Sequence, residues 1–178
     1  MSYIVTDVES DGQIIGINSM VCFGAVIVEP SLSKTFYGQV RPISKQFDPE
    51  ALAISGLSRK EHEAFDDPFD VMPKFAKWIK ENSKGQPILI SDNNGYDASW
   101  INYYFHMFNL VEDKKKANPL GWSSRRIGDL YCGLVKDSRA QWKHLRKTKH
   151  THHPVDDAKG NAEAILEMQK MGLKIELI

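Results

Sequence analysis

Long apolar runs are missing from this chain. No stretch approaches the roughly 20 consecutive apolar residues that span a bilayer, so no membrane segment is expected. The opening residues, Met1-Ser2-Tyr3-Ile4-Val5-Thr6-Asp7, lack the basic and apolar regions of a secretory leader, and a cytoplasmic protein is expected. Cysteine is scarce: Cys22 and Cys132 each sit in an apolar stretch without metal-ligand spacing, which argues against a disulfide framework and against a cysteine zinc site. Both read as small core residues. With 8 Pro and 12 Gly in 178 residues, collagenous and low-complexity chains are excluded. What is present is 42% hydrophobic content over a length that suits one core and is short for two, so a single domain over residues 1–178 is expected.

An excess of one charge sign is also lacking, since 23 basic residues balance 23 acidic ones. The distribution is uneven. Between Asp113 and His153 eleven Lys or Arg face only Asp113, Asp129 and Asp137, a local net of +8. The segment from Asp48 to Asp70 holds seven acids against Arg59 and Lys60. Taken alone, such runs are solvated helix faces of opposite sign; taken with a nucleic-acid chemistry elsewhere, the basic one is a phosphate-facing lobe.

Three β-branched-rich runs, Tyr3 to Val8, Val21 to Val28 and Thr35 to Val40, predict strands joined by hairpin-like connections. After Pro49 the period changes. Ser58-Arg59-Lys60-Glu61 is a capping-box pattern, and Met72, Phe75, Trp78 and Ile79 recur at helical spacing. Pro87 to Ile90 predicts a strand buried on both faces, and Trp100, Ile101, Tyr104, Phe105 and Phe108 a second helical stripe. Asn109 to Arg126 reads as a loop, Ile127 to Val135 as a helix, and Pro154 starts a last helix that stops near Gly172.

Asp7 and Glu9, two apart on the first strand, project from one face with Cα atoms roughly 6.5 Å apart, where one cation reaches both. Such a pair is also common on exposed strands. Asp97 heads the stripe Asp97, Ile101, Tyr104, Phe108 and therefore points inward, although an acid in a first helical turn also suits the helix dipole without further function. Of the adjacent Asp156 and Asp157, the first continues as Gly160, Glu163, Glu167 and Lys170, and the second as Asn161, Ala164 and Met168. Asp157 is the inward one. His144, His150, His152 and His153 crowd the approach to this helix; a zinc cluster is the weaker reading, because no second cysteine or fixed His-x3-His pair completes it. Four acids brought together suit hard divalent cations with oxygen ligands, and two such ions roughly 3.5–4 Å apart support in-line hydrolysis of a phosphodiester.

These residues resemble the DEDDh family of 3′-to-5′ exonucleases, the DnaQ-like branch of the ribonuclease H-like fold. Asp7-Val8-Glu9-Ser10 resembles its motif D-x-E-[TS], Asp92-Asn93-Asn94-Gly95-Tyr96-Asp97 is similar to H-N-x-x-F-D, and His152 with four residues before Asp157 matches H-x4-D. Ala53-Ile54-Ser55-Gly56-Leu57-Ser58 resembles A-[IV]-H-G-[IL]-[TS], the segment against which family members seat the 3′-terminal nucleotide. Asp92 and Ser55 stand where histidine is usual, and Pro154 where a small alanine is usual. The resemblance implies an α/β domain with a central mixed sheet flanked by helices. It implies two Mg²⁺ or Mn²⁺ ions held by Asp7, Glu9, Asp97 and Asp157, and His152 as general base. Substrate contacts are expected at Ser10, Ser55, Leu57 and Asn93, and in the basic run at Arg139, Lys143 and Arg146.

The function so implied is release of nucleoside 5′-monophosphates from the 3′ end of single-stranded RNA or DNA, with RNA slightly favoured because no polymerase or helicase is attached. Three alternatives stand beside it: a ribonuclease H-like endonuclease, a non-catalytic nucleic-acid-binding module of the same fold, and a metal-binding structural protein. Small stand-alone family members are often dimeric, so a homodimer is an open expectation. The aromatic residues Tyr103, Phe108, Trp122 and Trp142 are candidates to line an interface or stack bases.

Overall fold

In the computed structural model, residues 1–177 are described. Three strands come first, β1 (Tyr3–Ser10), β2 (Met20–Ile27) and β3 (Thr35–Gln39). Two short helices, α1 (Pro49–Ile54) and α2 (Arg59–Glu63), then lead into α3 (Pro68–Asn82), β4 (Ile88–Ser91) and α4 (Asn94–Phe108). A short strand β5 (Ser124–Arg126), α5 (Ile127–Val135) and α6 (Pro154–Lys170) follow. The sheet order is β3-β2-β1-β4-β5; β1 pairs antiparallel with β2 and parallel with β4, which makes the sheet mixed and β1 its centre. The expected α/β architecture is the observed one. No helix among the described residues is long and apolar enough to cross a membrane.

Alternation along β1 feeds two cores. Ile4 and Val8 pack with Phe23, Phe75, Trp100 and Phe105 beneath α3 and α4, whereas Val5 packs with Ala158, Ala162 and Ile165 of α6 and with Ile127 of α5. Asp7 and Glu9 lie on the α6 side of the strand by the same alternation. Opposite Asp7 on β2 is Gly24, and a Cβ there would stand 2.3 Å from the backbone carbonyl of Pro154. Glycine at this position lets the start of α6 rest directly on the sheet. A register shift between Glu9 and Ser10 bends the end of β1 at the same level.

The capping box at Ser58 is present, with the Ser58 hydroxyl bound by the Glu61 amide and the Glu61 carboxylate by the Ser58 amide. Three expectations need correction. The stretch 109–126 is not wholly loop: it contains a 3₁₀ turn at Lys114–Lys116 and ends in β5, whose three residues pair with β4. Such a short strand carries too little periodicity to be read locally. Phe108 and Trp142 are buried in the two cores, Phe108 against Tyr104 and Phe69, so neither is an exposed stacking surface. Cys132 is half-buried rather than a core residue, while Cys22 is buried beside Glu9, and burial pushes its thiol up to about 12.

Candidate active site

The C-terminal ends of β1 and β4, the first turn of α4 and the first turn of α6 meet at one end of the central strands. β1 supplies Asp7 and Glu9. From the layer on one face, α4 brings in Asp97, which is 4% exposed and accepts a hydrogen bond from the Val8 amide at 3.2 Å. From the other layer α6 brings in Asp157, which is 1% exposed. Asp7, Glu9 and Asp157 each offer a carboxylate oxygen within 4.8 Å of the others. Asp97 stands beside this triad, close enough for its charge to act on Asp7.

Burial and neighbouring negative charge leave Asp7, Glu9 and Asp97 reluctant to ionise. Asp7 is raised well above the ordinary aspartate range, first by burial and then by the charges of Asp97, Glu9 and Asp157. Glu9 rises to about 7, by burial and then by Asp157. Asp97 also rises to about 7 by burial, against the lowering effect of hydrogen bonds from Ser91 and Val8. A divalent cation removes this repulsion, and the all-oxygen donor set is the one that hard cations take.

Asp157 is surrounded by donors. Its Oδ1 accepts from Arg146 Nη2 at 2.8 Å and from the Thr151 amide at 3.2 Å, and His150 Nδ1 lies 2.8 Å away. Its Oδ2 accepts from the His152 amide at 2.9 Å. This bond holds His152 in the left-handed region, φ 60°, unusual for a non-glycine residue. The His152 ring is half-exposed with Nδ1 3.9 Å from Glu9 Oε1, and it meets the His150 ring edge-on at 4.3 Å. His153 turns away to pack at a tilt against Tyr37. Asp156, with half of its side chain exposed, faces His153 and the Thr151 hydroxyl rather than the acids.

No family model matches the chain. The curated 3′-5′ DNA exonuclease Cap18 of Escherichia coli is 33% identical over 189 residues, which cover 98% of this chain and 95% of that protein. The nuclease domain of 3′hExo, a DEDDh family member solved with rAMP bound, superposes with a TM-score of 0.76 at 18% identity, covering 99% of this chain and 96% of that one. The chain belongs to the DEDDh family of 3′-to-5′ exonucleases. Escherichia coli Exonuclease I, solved with a dT13 oligonucleotide, shares the fold with a TM-score of 0.66 at 13% identity; the match covers 97% of this chain and 41% of that one. Exonucleases of this family use divalent metal ions, and the acid cluster fits that use.

The residues expected to meet substrate differ in exposure and in partners. Ser10 is buried, its hydroxyl engaged by the Tyr96 hydroxyl and the Gly12 carbonyl. Asn93 is exposed at the N-cap of α4, where its carbonyl accepts from the amides of Tyr96 and Asp97. Leu57 is half-buried in the turn between α1 and α2. Arg139 is exposed, and Lys143 pairs with Asp92 at 3.1 Å. Arg146 is the least exposed of the three basic residues: its side chain is 10% exposed, pinned over Gly160 and bonded to Asp157.

Two contributors escaped the sequence reading. On α2, His62, wholly buried, places Nε2 3.0 Å from the Ser55 hydroxyl. Burial lowers the pKa of His62, so a neutral ring is favoured there. The signal was a histidine four residues beyond the capping serine, inside a helix too short to look important. Asp11 is buried at the end of β1 and pairs with Arg59, which also bonds the Ser44 carbonyl. That pair ties the turn carrying Ser55 to the strand carrying the acids.

Proposed function

We propose that this exonuclease binds two divalent cations, Mg²⁺ or Mn²⁺, through Asp7, Glu9, Asp97 and Asp157, and that it degrades single-stranded DNA from the 3′ end to nucleoside 5′-monophosphates. The observation that carries the reading is the convergence of the four acids from three separate elements, with Glu9 and Asp97 raised to about 7. Buried carboxylates held this close are unfavourable without a counter-cation. When bound, the cations would activate the attacking water and offset charge on the leaving oxygen.

The chain's own residues do the rest. His152, half-exposed beside Glu9, accepts the proton of the attacking water through a neutral imidazole. Its position depends on the bond between its amide and Asp157. The turn at Ser55, Gly56 and Leu57, steadied by His62, seats the terminal nucleotide. A DNA substrate is preferred to RNA because Cap18, which matches nearly the whole chain, is a DNA exonuclease by name. The likeness to a DEDDh domain solved with rAMP keeps RNA as the second reading. The test is incubation with end-labelled DNA and RNA of matched sequence, in Mg²⁺, in Mn²⁺ and in chelator. A metal-dependent ladder from the 3′ end, faster on DNA, is expected. Internal cuts, or binding without cleavage, would overturn the reading.

A further inference from the structure

Among the described large hydrophobic residues, Trp122 is the most exposed at 84%. Its one aromatic neighbour is His106, with ring centroids 6.4 Å apart, so packing does not account for its place on the surface. It stands at the rim of a hollow of about 270 Å³ between α4 and the segment before β5, whose walls include Asn94, Ala98, Asn102, Asn118 and Ser124. The amides are set rather than loose: Asn94 Nδ2 donates to Ser124 Oγ at 2.9 Å and Asn118 Nδ2 to Asn102 Oδ1 at 3.0 Å. Asn118 also lines a second hollow of about 570 Å³, together with Lys80, Lys115 and Lys116. The two therefore adjoin and form one track, with an aromatic plate and amides at one end and ammonium groups at the other.

The track begins within one helical turn of Asp97, since Asn94 precedes it by three residues, about 4.5 Å along the axis. We infer that the strand upstream of the scissile nucleotide lies along this track, with one base stacked on Trp122 and the phosphates that follow on Lys115 and Lys116. This inference rests on the reading of the acid cluster as the catalytic centre. An exposed indole offers a stacking face to any base, and amides such as that of Asn102 can bond a base edge without demanding one sequence. Lysines at the far end match a polyanion and read no bases.

Length separates this surface from the catalytic centre. Trp122→Ala should leave kcat and KM unchanged for the p-nitrophenyl ester of thymidine 5′-monophosphate and raise KM about tenfold for a single-stranded DNA 10-mer. Trp122→Phe should restore most of the loss. Lys115→Glu combined with Lys116→Glu should lower the slope of log Kd against log salt by one to two, measured by fluorescence anisotropy in chelator, where no cleavage occurs. If the wild type cleaves nothing, the catalytic reading fails, and the anisotropy still decides the track. Equal shifts for ester and 10-mer, or none for either, overturn the inference. So does a change from dimer to monomer in Trp122→Ala by light scattering, which would make the surface a contact between copies of this chain.

Discussion

Acids and bases fared differently when this chain folded. The acids at the end of β1 converge on one point from three elements, whereas the basic run from 113 to 153, a single block in sequence, disperses. Arg146 goes to Asp157, Lys143 to Asp92, Lys147 to Glu167, Arg126 to Asp129 and Lys116 to Asp113, while Lys115 and Lys116 also line the hollow they share with Lys80. The difference lies in reach and hydration. A short carboxylate beside a core has few places to go, and its backbone position nearly decides them. Lysine and arginine heads sit on flexible stems, stay in water unless a partner lies near, and take whichever acid the fold supplies.

The contrast breaks most sharply if the acids are not a unit. Asp7→Ala, Glu9→Ala, Asp97→Ala and Asp157→Ala should each abolish turnover in a standard exonuclease assay. In the first three the metal-free protein should melt no lower than wild type, because a repelling charge has gone. Asp156→Ala should retain most activity. Full activity in Asp97→Ala would remove it from the set, and equal loss at Asp156 and Asp157 would mean that both serve. One step smaller, His152→Ala should lower kcat by about 10² to 10⁴ while Mn²⁺ affinity by titration calorimetry is kept. His153→Ala, at a ring packed at a tilt against Tyr37, should stay near wild type.

Comparing two cations from the basic run sharpens the same contrast. Arg146→Met leaves Asp157 short of a buried partner and should cost about 2–3 kcal/mol in urea unfolding without metal. Lys143→Met removes a pair whose lysine is largely exposed and should cost under about 1 kcal/mol. Equal costs would mean that Arg146 is as solvated as the rest of the run.

The smallest effect is on the pH dependence of the metal-free protein. Glu9 and Asp97 carry pKa values raised to about 7 when folded, against roughly 4 in the unfolded chain, so the folded state binds more protons between those limits. Their contribution to stability is present below about pH 4 and is lost as pH rises through 7. In chelator, Tm should therefore fall by on the order of 5 °C more between pH 5 and 8 in the wild type than in Asp97→Asn. Saturating Mn²⁺ should abolish that difference. Identical slopes with and without Asp97 would show that its carboxyl does not titrate in this window.

Periodicity made much of this protein legible from sequence. A repeat of two placed Asp7 and Glu9 on one face of β1, and a repeat of 3.6 turned Asp97 and Asp157 inward and left Asp156 half in solvent, because these properties depend only on backbone geometry within a strand or a helical turn. Tertiary structure alone decided which groups became partners. Asp97 reaches the Val8 amide across 89 positions of sequence and stands beside the carboxylate triad, since α4 and α6 approach the end of β1 from opposite layers. The burial of Trp142 and the exposure of Trp122, the contact of the buried His62 with the Ser55 hydroxyl, and the seating of Arg146 over Gly160 were likewise settled by packing. Each depends on what another part of the chain brings alongside, and a local pattern carries no record of that.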